Sequence, residues 1–199
     1  MDKSSIENVS YQEKLSRSDI KPAFSQNNIP IVFGSDENYL PYLKVTLKSI
    51  LSNTHDRNLD ILIFHDSLTA EILDDFILSI PKQDNLSIRF VNIKNIIDTT
   101  SINSFEQKKH ISVASIYRLF LPWVLTEYDK VLYLDVDLIV CDNIGALYDI
   151  DLNDNLLGGC KDITFKKTNV YIENFSSNTT FSIILCISES SVKTLSIKL

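Results

Sequence analysis

Two aspartates, Asp135 and Asp137, interrupt the apolar run KVLYLDVDLIVCD at residues 130–142. Charge inside such a run is costly unless something pairs with it. The pair therefore marks either the solvated end of a strand or a place where a cation is held. On an extended chain, residues two apart point to the same side with alpha carbons about 6.5 Å apart, close enough to share one divalent ion, while Val136 between them faces the core. Hard carboxylate oxygens suit magnesium or manganese, ions that usually keep open positions for substrate phosphates. Other polar residues stand where they could line a site. Asp36 and Asn38, in GSDENY, are natural helix caps, and a cap can also face a ligand. Arg118, in IYRLF, either presents a planar set of donors to an anion or pairs with an acid on its own helix surface. His110 fits a helix start better than a metal, because no residue around it has ligand spacing; His55 and His65 have no evident partners.

The elements that must position these residues alternate in type. IPIVF (29–33) is a short strand running into GSDENY, and LPYLKVTLKSIL follows with Leu40, Leu43, Leu47 and Ile50 at helical spacing. Pro41 is tolerated in the first turn of that helix. DILIFH (60–65) is a second strand, followed by a helix carrying Ile72, Phe76 and Ile80 on one face and stopped by Pro81. LSIRFVNI (86–93) alternates as a third strand does. HISVASIYRLFLPWVL reads as a helix to about Phe120, broken at Pro122, with Tyr117 and Trp123 in the core or on a partner face; KVLYL is the next strand. Repeated strand-helix-strand order predicts an α/β fold with a mainly parallel central sheet flanked by helices. In open sheets of this kind ligands collect beyond the carboxyl ends of the strands, which is where Asp135 and Asp137 should lie.

Composition narrows the chemistry. With 199 residues, 44% of them hydrophobic and 23% charged, the chain can close one sizeable core. The net charge of -7, with no basic stripe beyond Lys108-Lys109 and Lys166-Lys167, argues against nucleic acid as a partner and makes a bound cation necessary for an anionic ligand. Cys141, Cys160 and Cys186 are odd in number, widely spaced and without a CxxC pair, against both a disulfide scaffold and a zinc cluster. The N-terminus has no apolar signal core, and the greasiest stretches fall short of the roughly 20 residues of a membrane span. A cytoplasmic protein is expected.

DKVLYLDVDLIVCDNI resembles the aspartate-any-aspartate segment of glycosyltransferase family 8. Three further stretches agree with that family in order and spacing: IPIVFGSDENYLPYLKVTLKSI, HISVASIYRLFLP and DLNDNLLGGCKD. The resemblance runs from about Ile29 to Asp162 and implies a GT-A-type nucleotide-diphospho-sugar transferase fold. Residues 1–28, polar and without a clear period, read as a loose leader, and the resemblance implies a donor-binding domain over 29–165, followed by a divergent or truncated segment (166–199). It also implies a retaining, metal-dependent hexosyltransferase with a UDP-hexose donor and Mn2+ (or Mg2+). The implied acceptor is a glycan or lipid-linked glycan, such as a lipopolysaccharide intermediate, met at the cytosolic face with peripheral membrane association. By the same analogy Gly34, Asp36 and Asn38 contact the uridine, and Arg118 meets the sugar or diphosphate. Asp135 bridges ribose and metal, with Val136 in the same donor-binding segment. Asp137 chelates the metal, and Asp162 lies toward the sugar and acceptor. Arg118 and Asp162 are thus the expected catalytic residues.

The family's late histidine, glycine and lysine motif has no counterpart here, since no histidine follows His110. A shortened chain with weak or no turnover is the resulting expectation. Two other readings compete: a noncatalytic nucleotide-sugar-binding remnant, and a haloacid-dehalogenase-type phosphatase with Asp135 as nucleophile and Asp137 as acid/base. The phosphatase fits poorly, because its DxD normally opens the domain on the first strand.

Overall fold

The computed structural model describes residues 9–11, 19–97, 117–153, 155–159, 182–186 and 193–195. In chain order the strands are β1 (Val9–Tyr11), β2 (Asn28–Gly34), β3 (Asn58–His65), β4 (Leu86–Asn92), β5 (Lys130–Leu134), β6 (Leu138–Val140), β7 (Leu157–Gly159), β8 (Ser182–Cys186) and β9 (Lys193–Leu195). The α-helices are α1 (Leu40–Asn53), α2 (Ala70–Leu78), α3 (Leu121–Val124) and α4 (Ile144–Tyr148). Seven strands form one sheet in the order β1-β4-β3-β2-β5-β8-β7, while β6 pairs with β9 apart from it. Every ladder in both sheets is parallel, in keeping with the mainly parallel sheet expected.

Alternation along the strands builds a core on each face. Ile29, Ile31 and Phe33 of β2, Leu59, Ile61 and Ile63 of β3, and Leu132 and Leu134 of β5 pack with Leu43, Leu47 and Ile50 of α1, Phe76 of α2 and Ile144 of α4. The intervening Val32, Leu62, Phe64, Val131 and Tyr133 face the other way, onto Tyr117, Leu121, Val124 and Leu125. The central strands are therefore buried on both sides, which is why they read as nearly continuous Val, Ile and Leu.

Local sequence sets the ends of the elements, and in places overrides the expected pattern. Asp36 caps a 3-10 turn over Glu37–Tyr39, accepting from the N–H groups of Asn38 (2.9 Å) and Tyr39 (3.2 Å). Asn38 does not cap α1: it is exposed inside that turn, and Tyr39 takes the position before the helix without a side-chain bond. Helix α2 ends at Leu78, earlier than Pro81 required, with Ser79 as its C-cap and the Ser79 hydroxyl donating to the Phe76 carbonyl at 2.6 Å. The helix expected to run to about Phe120 lies outside the described residues as far as residue 116; at its end Arg118–Phe120 form a 3-10 turn, and Pro122 falls in the first turn of the new helix α3, where its missing N–H has no partner to lose.

The stretch assigned by its polarity to a loose leader is tied down from residue 20 onward. Ile20 is 1% exposed in the second core. The Ala23 N–H donates to Asp60 at 3.0 Å, and the Lys21 carbonyl accepts from Arg89 at 2.8 Å. Further upstream, β1 pairs with β4. One apolar residue at the right place and main-chain groups, which composition does not register, are enough to dock such a segment. Residues 12–18 lie outside the described set, as do His110, Cys160 and Asp162.

Candidate functional site

The site is assembled beyond the carboxyl ends of β2 and β5, which are neighbours in the sheet with Ile31 opposite Leu132 and Val32 opposite Tyr133. Gly34 ends β2, and Asp135 follows directly on β5. Beside them the Ser35 N–H donates to the Phe64 carbonyl at 2.9 Å, extending the sheet by one bond toward β3 before the chain turns away at Asp36. Asp36 is half-buried, and Asn38 and Tyr39 are exposed.

Asp135 and Asp137 are not on a strand. β5 stops at Leu134 and β6 starts at Leu138, so the pair belongs to a tight turn between them, and the extended spacing expected from alternation does not apply. A turn suits the residues better than a strand, because both carboxylates stay half-exposed while Val136, 7% exposed, drops into the first core. Val136 faces the core as expected. Any contact it makes with a donor would come from its main chain.

Arg118 approaches from the opposite layer. Tyr117 is 1% exposed in the second core, which fixes the start of the 3-10 turn and leaves the neighbouring Arg118 half-buried. Its closeness to the turn after β5 is visible in the electrostatics of Tyr133. Burial pushes the Tyr133 phenol up, the charge of Asp135 pushes it further, and Arg118 works in the opposite direction. One buried hydroxyl thus feels both Asp135 and Arg118. The structure brings Gly34, Asp36, Arg118, Asp135 and Asp137 to one end of the sheet.

The donor set fits a hard divalent cation. Two half-exposed carboxylates a residue apart supply oxygen ligands, and ions such as magnesium or manganese are commonly held by one or two carboxylates with water and phosphate completing the shell. Among the described residues no third histidine, cysteine, aspartate or glutamate joins them.

Sequence reasoning missed the residue that holds this turn. Thr46 of α1 is fully buried, and its hydroxyl lies 2.6 Å from the Val136 carbonyl and 2.7 Å from the Leu138 carbonyl while accepting from the Leu138 N–H at 3.2 Å. One helical turn on, the Ser49 hydroxyl accepts from the Val140 N–H at 2.9 Å, and Asn53 donates to the Val140 carbonyl at 2.8 Å. The available signal was a polar stripe, Thr46-Ser49-Asn53, at three- and four-residue spacing on an otherwise apolar helix.

A family model described as Glycosyl transferase family 8 matches residues 30–183. The chain belongs to that family. The match covers the strands and turn that form the site. Membership sets aside the phosphatase alternative. Among curated relatives, Glycosyltransferase GlyF of Streptococcus pneumoniae is 36% identical over 135 residues, covering 67% of this chain and 31% of that protein. Lipopolysaccharide 1,2-glucosyltransferase of Escherichia coli K12 is 30% identical over 134 residues, covering 67% of this chain and 38% of its own length. The chain thus spans about a third of the length of these curated relatives.

Solved glycosyltransferase structures superpose on the chain as well. The bifunctional glycosyltransferase WbbM in its apo form aligns with a TM-score of 0.60 and 26% identity, over 73% of this chain and 25% of that one. The galactosyltransferase LgtC in complex with donor and acceptor sugar analogs aligns with a TM-score of 0.56 and 27% identity, over 71% and 50%. The fold is the GT-A type. Among the described residues, no helix is long and apolar enough to cross a membrane.

Proposed function

We propose that this chain carries the donor site of a metal-dependent, retaining family 8 glycosyltransferase that moves a hexose from a UDP-sugar to a glycan acceptor of lipopolysaccharide or a related surface polymer. The carrying observation is that Asp135 and Arg118 both act electrostatically on the buried Tyr133 phenol, one strand away from the Asp36 turn. A cation between two carboxylates, an arginine and a capped turn together match the charge pattern of a nucleoside diphosphate. A UDP-sugar donor is in keeping with the family, and a lipopolysaccharide-type acceptor with a relative named lipopolysaccharide 1,2-glucosyltransferase.

In this reading Gly34, Asp36 and Asn38 receive the uridine. Asp36 has an oxygen committed to its own turn, so it offers the base a carboxylate whose position is already fixed. Tyr39, 44% exposed and next in line, presents a ring beside it. Asp135 and Asp137 hold Mn2+ or Mg2+, Asp135 also reaching the ribose. The metal, when bound, offsets negative charge developing on the departing diphosphate. Arg118 adds directed donors to the same leaving group from the opposite layer, where partial burial strengthens them. Asp162 would act toward the sugar and acceptor. The reaction would take place at the cytosolic face of a membrane, the protein associating peripherally.

Titration of UDP into the purified chain by calorimetry, with and without Mn2+, tests the reading against an Asp135→Ala, Asp137→Ala double variant. Mn2+-dependent binding that the variant loses supports it. Equal binding by both proteins would refute the metal role of the turn. Binding without transfer to any acceptor would leave a donor-binding module, the noncatalytic reading.

A further inference from the structure

We infer that Thr46 is a positioning residue for the cation site: its hydroxyl fixes the direction in which Asp137 leaves the main chain. The inference rests on the reading above, in which Asp137 is a metal ligand. The Val136 carbonyl belongs to the peptide unit entering Asp137, and the Leu138 N–H belongs to the unit leaving it. Thr46 Oγ1 engages both, at 2.6 and 3.2 Å, from an entirely buried position. Peptide units are planar, so holding the two that flank one alpha carbon fixes both of its soft dihedrals and hence its Cα–Cβ direction. One hydroxyl therefore sets the aim of a carboxylate that it does not touch.

The arrangement is specific to Asp137. A hydroxyl within a helix ordinarily bonds back to its own preceding turn, whereas Thr46 reaches residues 90 and 92 positions away in sequence. Its single proton is shared between the Val136 and Leu138 carbonyls, and a lone pair takes the Leu138 N–H, so donor and acceptor capacity are both in use. Ser49 and Asn53 continue the same stripe, but they hold Val140, beyond the turn. They anchor β6 without acting on Asp137, and this difference separates positioning from plain stability.

The decisive measurement is Mn2+-dependent UDP binding to the full chain by calorimetry, read beside thermal unfolding, for wild type, Thr46→Val, Thr46→Ser, Ser49→Ala and Asp137→Asn. Valine keeps the shape and removes the hydroxyl; serine keeps the hydroxyl. We expect Thr46→Val to weaken binding at least tenfold, and Thr46→Ser to stay within about threefold of wild type. Ser49→Ala should lose thermal stability while keeping wild-type affinity. A folded Thr46→Val with unchanged affinity overturns the inference, as does a folded Thr46→Ser that loses affinity tenfold. If Thr46→Val does not fold, the Thr46→Ser result still decides between the hydroxyl and the rest of the side chain. Failure of the underlying reading looks different: wild type and Asp137→Asn would then bind alike.

Discussion

Arg89 donates from Nη2 to Oδ1 of Asp60 at 2.6 Å, and Asp60 is completely enclosed. The other carboxylate oxygen accepts from the Tyr128 hydroxyl at 2.9 Å and from the Ala23 N–H at 3.0 Å. Asp60 lies early in β3, so this network secures the end of the sheet away from the Asp135–Asp137 turn. Burial works against the charge on Arg89, but Asp60 and Tyr128 more than offset it and hold the guanidinium protonated. Burial and the neighbouring Asp60 charge likewise push the Tyr128 phenol up, so it stays a hydroxyl.

Removing Asp60 leaves a charged guanidinium in a low-dielectric place without its counter-ion. Breaking one side of a buried ion pair costs about 3–5 kcal/mol. Urea unfolding of Asp60→Ala should show a loss of that size, with UDP affinity unchanged in the fraction that folds. A loss below about 1 kcal/mol would mean that the pair is a bystander.

Asp36 offers a test in which stability and binding part company. Its carboxylate accepts two main-chain bonds at the 3-10 turn, and deleting a cap costs about 1 kcal/mol. Asparagine caps about as well as aspartate. Asp36→Ala should therefore be destabilised while Asp36→Asn is not, yet both should bind UDP more weakly if the carboxylate faces the base. An Asp36→Asn protein with wild-type affinity would reduce Asp36 to a cap.

Strands β2 to β5 and helix α1 were legible in the sequence because burial on two faces leaves an unbroken apolar run, and because Leu40, Leu43, Leu47 and Ile50 repeat at helical spacing, whereas β1 and β6 to β9, three to five residues each, were not read. The half-exposed aspartates of the site were legible for the opposite reason, as charge where none belongs. What was hidden depends on contacts between distant segments. Thr46 reads as a neutral helix residue until a turn 90 residues later is laid against it. Ile20 reads as part of a polar leader until the sheet that covers it exists. Pro122 marked an end in the sequence, and the short helix that starts there was hidden because a helix start and a helix break carry the same residue.

His65 gives a prediction about pH. It is 1% exposed at the end of β3, its Nδ1 accepts from the Leu68 N–H at 3.3 Å, and burial lowers its pKa to about 4 against a small opposing pull from Asp66. The unfolded chain titrates this imidazole near 6.5 and so binds the extra proton first as pH falls. Its contribution to stability is complete above pH 6.5 and is lost progressively down to about pH 4. Linkage puts the loss between pH 7 and pH 5 at about 2 kcal/mol. Urea unfolding at these two pH values should show that much less change in His65→Gln than in wild type. Parallel pH profiles for the two proteins would rule out the buried neutral imidazole.

Arg118 provides the sharpest check on the donor site because its charge is not the whole of its proposed role. Tyr133 feels Arg118 and Asp135 together, so a lysine at 118 would keep a positive charge in the region while losing the planar fork of donors that matches a diphosphate. A hydrogen bond to a charged group contributes about 1.5–3 kcal/mol, which corresponds to a tenfold to hundredfold loss of UDP affinity for Arg118→Ala. Arg118→Lys should recover little of that loss if geometry governs, and most of it if charge alone does. Uridine, which lacks the phosphates, should bind wild type and both variants alike. If uridine binding falls as far as UDP binding, Arg118 supports the fold of the site and does not meet the diphosphate.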